Sequence, residues 1–203
     1  MKSKPRTQAE RSAATSAALI GAARRLWAQR GYAEVGTPEI AAAAGVTRGA
    51  MYHQFADKAG LFLAVAEQVE SDLTRRLGDE VVASGAEDPV AALHAATDGW
   101  LAACEEPEVR QILLLDGPVV LGWPEFRDMT QRHGLGLTEA LLSAGMEAGR
   151  LVARPTRPLA HVLIGALDEA AMFVATAEDR DTARSEVAEV LHALLDGLVM
   201  PES

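Results

Sequence analysis

The chain has 203 residues, room for a small head and a larger body, and one cysteine, Cys104, which excludes an intramolecular disulfide and a multi-thiolate metal site. Its net charge of −10 argues by itself against a nucleic-acid partner, yet the average conceals a division: residues 1–58 carry nine Lys and Arg against four Asp and Glu, and residues 59–203 carry ten against 25. A basic end on an acidic body draws phosphate to one end and repels it elsewhere. The opening Met1–Arg11 is basic and polar without the apolar core of a secretion signal, and no run of about 18 apolar residues occurs, so a cytoplasmic protein with no membrane partner is expected.

Ala and Leu are abundant, aromatic residues are scarce, and no segment alternates with a period of two, so an all-α fold is predicted. The first helix begins near Gln8–Ser12, places Leu19, Ile20, Ala23, Leu26 and Trp27 on one face and Arg24, Arg25 and Arg30 on the other, and stops at Gly31. Thr37 caps a second helix with Pro38 in its first turn, where the missing donor costs nothing, and Ala44-Gly45 ends it. Thr47 caps a third, Arg48 to Phe55, and Asp57 a long fourth, from Lys58 to roughly Val82. Beyond Gly85, helices are predicted from Asp88-Pro89 to Cys104, from Glu106 to a firm break at Asp116-Gly117-Pro118, from Pro124 to Ala148, from Pro155/Pro158 to Ala177, and from Asp181-Thr182 to Pro201.

The stretch from Thr37 to Phe55 reads as two short helices meeting at Gly45, a helix-turn-helix. Ile40, Val46, Met51 and Phe55 pack inward against Leu26 and Trp27, which leaves Thr47, Arg48, Gly49, Tyr52 and His53 facing out. Such a face adds little to helix stability but suits a DNA groove. Arg48 offers a bidentate fork to guanine, Gly49 allows close backbone approach, Tyr52 donates to phosphate, and His53 reaches a base edge or phosphate. Lys58 and the helix start at Thr37 each provide an anion site.

From Ala18 to Leu63 the sequence resembles the DNA-binding head of the TetR (tetracycline repressor) family of transcriptional regulators. The resemblance is carried by Leu26, Gly31-Tyr32, Thr37, Ile40-Ala41, Ala44-Gly45-Val46, Gly49, Met51-Tyr52, Phe55, Lys58 and Leu61-Phe62. It implies that Thr47, Arg48, Gly49, Tyr52 and His53 lie on the recognition helix and that Tyr52 and Lys58 hold phosphates. Gln54 and Ala59 depart from the commoner His or Asn and Glu, so no base preference is carried over. The expected organisation is a DNA-binding domain over residues 1–58 and a helical ligand-binding and dimerisation domain over residues 59–203. The expected function is a repressor that binds a palindromic double-stranded operator as a homodimer and is released by a small, largely apolar effector. The alternative is a helical small-molecule-binding protein, or an activator, without inducer-controlled repression.

In the body the resemblance is architectural only. Leu159, Leu163, Ala166, Leu167, Ala170, Ala171 and Val174 form one apolar stripe, and Val187, Val190, Leu191, Leu194, Leu195 and Leu198 another. These last two helices resemble the pair that builds a four-helix dimer interface in such regulators. Trp100, Trp123, Phe126, Met129, Met146, Met172 and Phe173 supply bulky surface for an effector cavity, with the nonpolar loop Leu115–Pro124 at its mouth and His161 and Asp168 to orient a polar group. Trp100, Trp123, Phe126, Met172, His161 and Asp168 are the candidate ligand contacts.

No catalytic residues, metal site or cofactor are expected. Cys104 lies beside Glu105, Glu106 and Glu108, which disfavour a thiolate, and His94 with Asp98 lacks a third metal ligand. Gly134-Leu135-Gly136 lacks the strand and third glycine of a dinucleotide loop.

Overall fold

The computed structural model describes residues 7–83 and 88–201, and within them the protein is built of helices alone. The N-terminal residues 1–6 and the predicted break at Gly85 lie outside the described residues. Helix α1 (Gln8–Glu34) opens with a capping box in which the Thr7 hydroxyl accepts from the Glu10 amide while the Glu10 carboxylate accepts from the Thr7 amide. Then come α2 (Thr37–Ala43), α3 (Arg48–Gln54) and the long α4 (Lys58–Ala83). The body follows with α5 (Pro89–Ala103), a π-helical segment Val109–Asp116, α6 (Gly117–Leu121), α7 (Trp123–Glu147), α8 (Thr156–Thr176) and α9 (Arg180–Asp196).

The head closes around Trp27, which is fully buried with Leu19, Val35, Ile40, Met51, Leu61 and Phe62. Tyr32 and Phe62 flank the Trp27 ring at 5.6 and 5.3 Å. Two of these buried residues, Leu61 and Phe62, belong to the first turns of α4, so the head core is incomplete without that helix. The same core runs on through Val65, Val69 and Leu73 into the body. A smaller cluster of Leu93, Leu142, Leu151, Ala160 and Leu195 closes the far end, where Leu151 and Val199 form an isolated antiparallel bridge.

Four expectations need correction. Gly36, not Thr37, is the N-cap of α2, and Thr37 is its first residue. Asp116-Gly117-Pro118 does not break the chain: both Asp116 and Gly117 are right-handed helical, Pro118 sits in the first turn of α6 where a proline fits, and the break falls at Gly122. Gly117 is required for close packing, since an added Cβ would lie 2.9 Å from the Phe126 ring. Leu115–Pro124 is accordingly helical except at Gly122. Arg24, placed by periodicity on an outward face, is half-buried instead: its guanidinium forks onto Glu108 at 2.6 and 2.7 Å and reaches Asp72 on α4 at 2.7 Å.

Helix α8 is long and apolar enough to cross a bilayer. It packs against α7 and α9, with Ala160, Ile164, Asp168, Ala171 and Val174 turned inward.

Gly31 interrupts α1 at φ 78°, and a Cβ there would stand 3.0 Å from the Gln111 side chain on the π-helical segment. The Tyr32 amide freed by this corner donates to Asp116 Oδ2 at 2.8 Å, and Lys58 Nζ donates to the Tyr32 carbonyl at 2.6 Å. Head, connecting helix and body therefore meet at one residue. Gly31→Ala is expected to destabilise the fold by about 1–2 kcal/mol from the left-handed backbone alone, read as a lower urea midpoint with an unchanged slope. An unshifted midpoint would show that this corner is not under conformational constraint.

Candidate functional site

The recognition surface is set by local rules. Helix α2 ends in a Schellman arrangement: the Val46 amide donates to the Ala41 carbonyl at 2.9 Å and the Gly45 amide to the Ala42 carbonyl at 3.0 Å, with Gly45 at φ 69°. No atom lies within 4 Å of a Cβ at Gly45, so glycine is needed there for backbone conformation, not for space. The chain then re-enters helix at Thr47, whose hydroxyl accepts from the Ala50 amide at 3.1 Å. Met51 is driven into the core, which fixes the rotation of α3 and leaves Thr47, Arg48, Gly49, Tyr52 and His53 exposed together.

Within this face the Arg48 guanidinium lies 5.5 Å from the centre of the Tyr52 ring, and the Tyr52 hydroxyl is 3.3 Å from Thr37 Oγ1. The Thr37 hydrogen bond, then the neighbouring Arg48 side chain, hold the Tyr52 phenol below its ordinary pKa. Thr37 itself is buried, so it acts beneath Tyr52. Lys58 is placed differently: besides its bond to Tyr32 it stands 3.9 Å over that ring, and burial pulls its pKa down against the opposing field of Asp116. Arg30 is paired with Glu39 at 2.8 Å, which leaves Arg48 as the cation of the exposed face of α3.

The body holds a partly enclosed cavity of about 90 Å³ between α4, α5, α7, α8 and α9. Trp100 and Asp168 line it. The other four candidate ligand contacts lie elsewhere. Trp123 is half-exposed beside Phe126 and Arg127, Phe126 is buried against Gly117, and Met172 packs on the main core. His161 faces α7, where the Gln131 amide oxygen, turned toward its donors, accepts from His161 Nδ1 at 3.1 Å and from Arg127. No residue of Leu115–Pro124 contributes to the cavity lining.

The residue that sequence reasoning passed over is Glu70 on α4, which is 4 % exposed and lines the cavity with Oε2 unpartnered. Its signal was present, because Glu70 falls on the buried stripe formed by Phe62, Val65, Ala66, Val69, Leu73 and Leu77. Burial, and then the field of Asp168, push its carboxyl up to about 8; burial also lifts Asp168 to about 6, opposed by Arg127. Cys104 is buried, and its thiol is pushed up by desolvation first and by Asp168 and Glu70 next, ahead of Glu105 and Glu106. His94 pairs with Asp196 at 3.1 Å, and Asp98 pairs with His192 at 2.9 Å, so the two predicted partners face α9 rather than each other. Among the described residues no group of three or more His, Cys, Asp or Glu is placed to hold a metal.

A helix-turn-helix presenting an arginine and a tyrosine, mounted on a helical body with an internal cavity, defines a DNA-binding regulator. Residues 19–65 match the tetR family of bacterial regulatory proteins, and residues 90–198 match the tetracyclin repressor-like C-terminal domain. A crystallised TetR-family transcriptional regulator of Pectobacterium atrosepticum is 32 % identical, superposes with a TM-score of 0.85, and is matched over 98 % of this chain and 100 % of its own. The transcriptional regulator CymR of Pseudomonas putida is 42 % identical over 76 residues, 37 % of either chain. The transcriptional repressor AcnR of Corynebacterium diphtheriae is 28 % identical over 124 residues, 61 % of this chain and 60 % of its own. The matches thus span less than two thirds of these two curated relatives. The chain belongs to the TetR family of transcriptional regulators.

The buried carboxyl gives a pH test. Between about pH 4.5 and 8 the folded protein keeps the Glu70 proton that the unfolded chain has released, so stability contributed by this group is complete below 4.5 and is lost as pH rises through 8. Asp168 acts in the same direction between 3.8 and about 6. Glu70→Gln, which keeps shape and removes the titration, is expected to flatten the fall in melting temperature from pH 5 to 8.5 (roughly the span of both shifts). A profile identical to wild type would place Glu70 in water.

Proposed function

We propose that this regulator is a ligand-responsive repressor: a homodimer that grips a palindromic operator with paired recognition helices and lets go when an effector occupies the body cavity. The observation that carries this reading is that one uninterrupted helix, α4, contributes Leu61 and Phe62 to the head core and Glu70 to the cavity wall. Residues 1–58 act as the DNA-binding domain and residues 59–203 as the ligand-binding and dimerisation domain. In this reading Arg48 reads a base edge, Tyr52 on Thr37 meets phosphate, Gly49 admits the backbone, Thr47 and His53 complete the contact face, and Lys58 supports it by holding the Tyr32 corner. The protein works in the bacterial cytoplasm.

Homodimerisation is supported by side chains that α8 and α9 leave uncovered. Val162 and Phe173 on α8 are 67 % and 55 % exposed, and Val190 and Leu194 on α9 are 59 % and 53 % exposed. Apolar groups at this spacing on adjacent helices are the expected faces of an isologous contact. A single recognition helix contacts too few base pairs for selective binding, and twofold pairing doubles the readout.

The reading is tested by fluorescence anisotropy against DNA from the region beside the protein's own gene, with random-sequence competitor. Saturable, competitor-resistant binding is expected. Arg48→Ala should cost about 1–3 kcal/mol on the operator and little on random DNA, whereas Tyr52→Phe should weaken both alike. Equal losses on both DNAs for Arg48→Ala would remove it from base readout. Phe173→Glu combined with Val190→Glu should convert the dimer to a monomer in light scattering and abolish operator binding with the helical signal intact. A dimer that survives this double substitution would place the interface elsewhere.

A further inference from the structure

The polar chemistry of the cavity is one-sided. Its lining includes two carboxyl groups, Glu70 and Asp168, and no Lys, Arg or His among the described residues. Three of its threonines have already spent their hydrogens: Thr97 donates to the Leu93 carbonyl at 3.0 Å, Thr130 to Arg127 at 3.1 Å and Thr138 to Gly134 at 3.1 Å. What these hydroxyls turn toward a guest is lone pairs. The Trp100 indole donor is likewise directed at the Leu167 carbonyl, at 3.4 Å. Apart from the hydroxyl of the fourth threonine, Thr74, the cavity therefore offers acceptors and acids, and an aromatic residue, in an otherwise leucine-rich wall.

Glu70 Oε2 has no hydrogen-bond partner, and Asp168 has no hydrogen bond or ion pair among the described residues. Each carboxyl raises the cost of ionising its surroundings, and the groups that face them are few: Arg127 from α7 bears on Asp168, and the Cys104 thiol at the end of α5 lies within the field of both acids. A neutral guest leaves Asp168 with no counter-charge in the cavity lining, and an anion sets a like charge beside it. A single cation with N–H donors satisfies both carboxyls and can find further acceptors on the threonines, with Trp100 available for a cation–π contact.

We infer that the effector is a lipophilic amine, bound with its ammonium group between Glu70 and Asp168 and its hydrocarbon among the cavity leucines. This inference rests on the cavity being the effector site, as proposed above. Binding exchanges a proton: the neutral Glu70 carboxylic acid gives its proton to solvent, and the resulting carboxylate pairs with the incoming ammonium, so charge and atoms balance. With the Glu70 carboxyl at about 8 when the cavity is empty, binding near neutral pH releases close to one proton, and affinity for the amine rises with pH while the amine stays protonated.

The test is calorimetric titration of the full-length protein with three chain-matched probes, decylamine, decanol and decanoate, below their micellar concentrations. Decylamine should bind at least about tenfold more tightly than either of the others, with a heat that varies with buffer ionisation enthalpy by nearly one proton at pH 7. Glu70→Gln should weaken decylamine by about tenfold, abolish the proton release and leave decanol unchanged, which a purely structural role for Glu70 would not do. Decanol binding as tightly as decylamine, or no decylamine binding up to about 1 mM, would overturn the inference. Operator anisotropy with the same probes keeps the two readings apart. Selective amine binding without loss of DNA would uphold the ligand class and reject effector-driven release. DNA release by decanol, bound as tightly as decylamine, would uphold release and reject the ligand class.

Discussion

The structure depends on α4 remaining one rigid helix from the head to the cavity. Its 26 residues span about 39 Å, and its buried stripe is shared by two environments that would otherwise be separate units. Leu61, Phe62 and Val65 complete the packing around Trp27, while Glu70, Leu73 and Leu77 belong to the body. Because interiors are close-packed, a displacement of the lower half of this helix cannot be absorbed locally without opening voids around Leu73 or Trp27. In the proposed mechanism the head follows the helix.

A second connection runs beside the first. The π-helical segment brings Asp116 to the Tyr32 amide and Gln111 to Gly31, and Glu108 shares Arg24 with Asp72 of α4. The two carboxylates raise the Arg24 pKa still further, which keeps this charge fixed at any pH at which the protein is folded. α1 is thus held at both the Arg24 level and the Tyr32 corner, and Lys58 ties the corner to the start of α4. In the proposed ligand response, a body rearrangement would reach the recognition helix along covalent helix and hydrogen-bonded seam together.

The head was largely legible because its signals are local. Thr47 and Asp57 mark helix starts by cap chemistry, and Gly45 marks the left-handed turn between the two short helices. Thr37 was misread by one position because Gly36 takes the cap conformation without a side-chain bond, freeing the Thr37 hydroxyl for Tyr52. The body was less legible because its outcome depends on which side of a helix meets a neighbour. Gly117-Pro118 carries the composition of a break, yet Gly117 is there to admit Phe126. Trp123 and Met172 have the bulk of pocket residues, but burial is decided by tertiary facing, and neither faces the cavity. Glu70 was overlooked for the opposite reason: one acid among the five of a long amphipathic helix reads as solvated until its neighbours in the stripe are seen to be buried.

The measurement that bears most directly on this mechanism is the distance between the two heads of the proposed dimer. A spin label on a cysteine introduced at Ala33, an exposed head position, allows pulsed electron–electron resonance to read that distance, Cys104 being buried. If cavity and head are coupled through α4, operator DNA should select a narrow distribution set by major grooves recurring about every 34–36 Å, and decylamine should shift it to a different mean. Identical distributions with operator and with saturating decylamine would contradict coupling through α4.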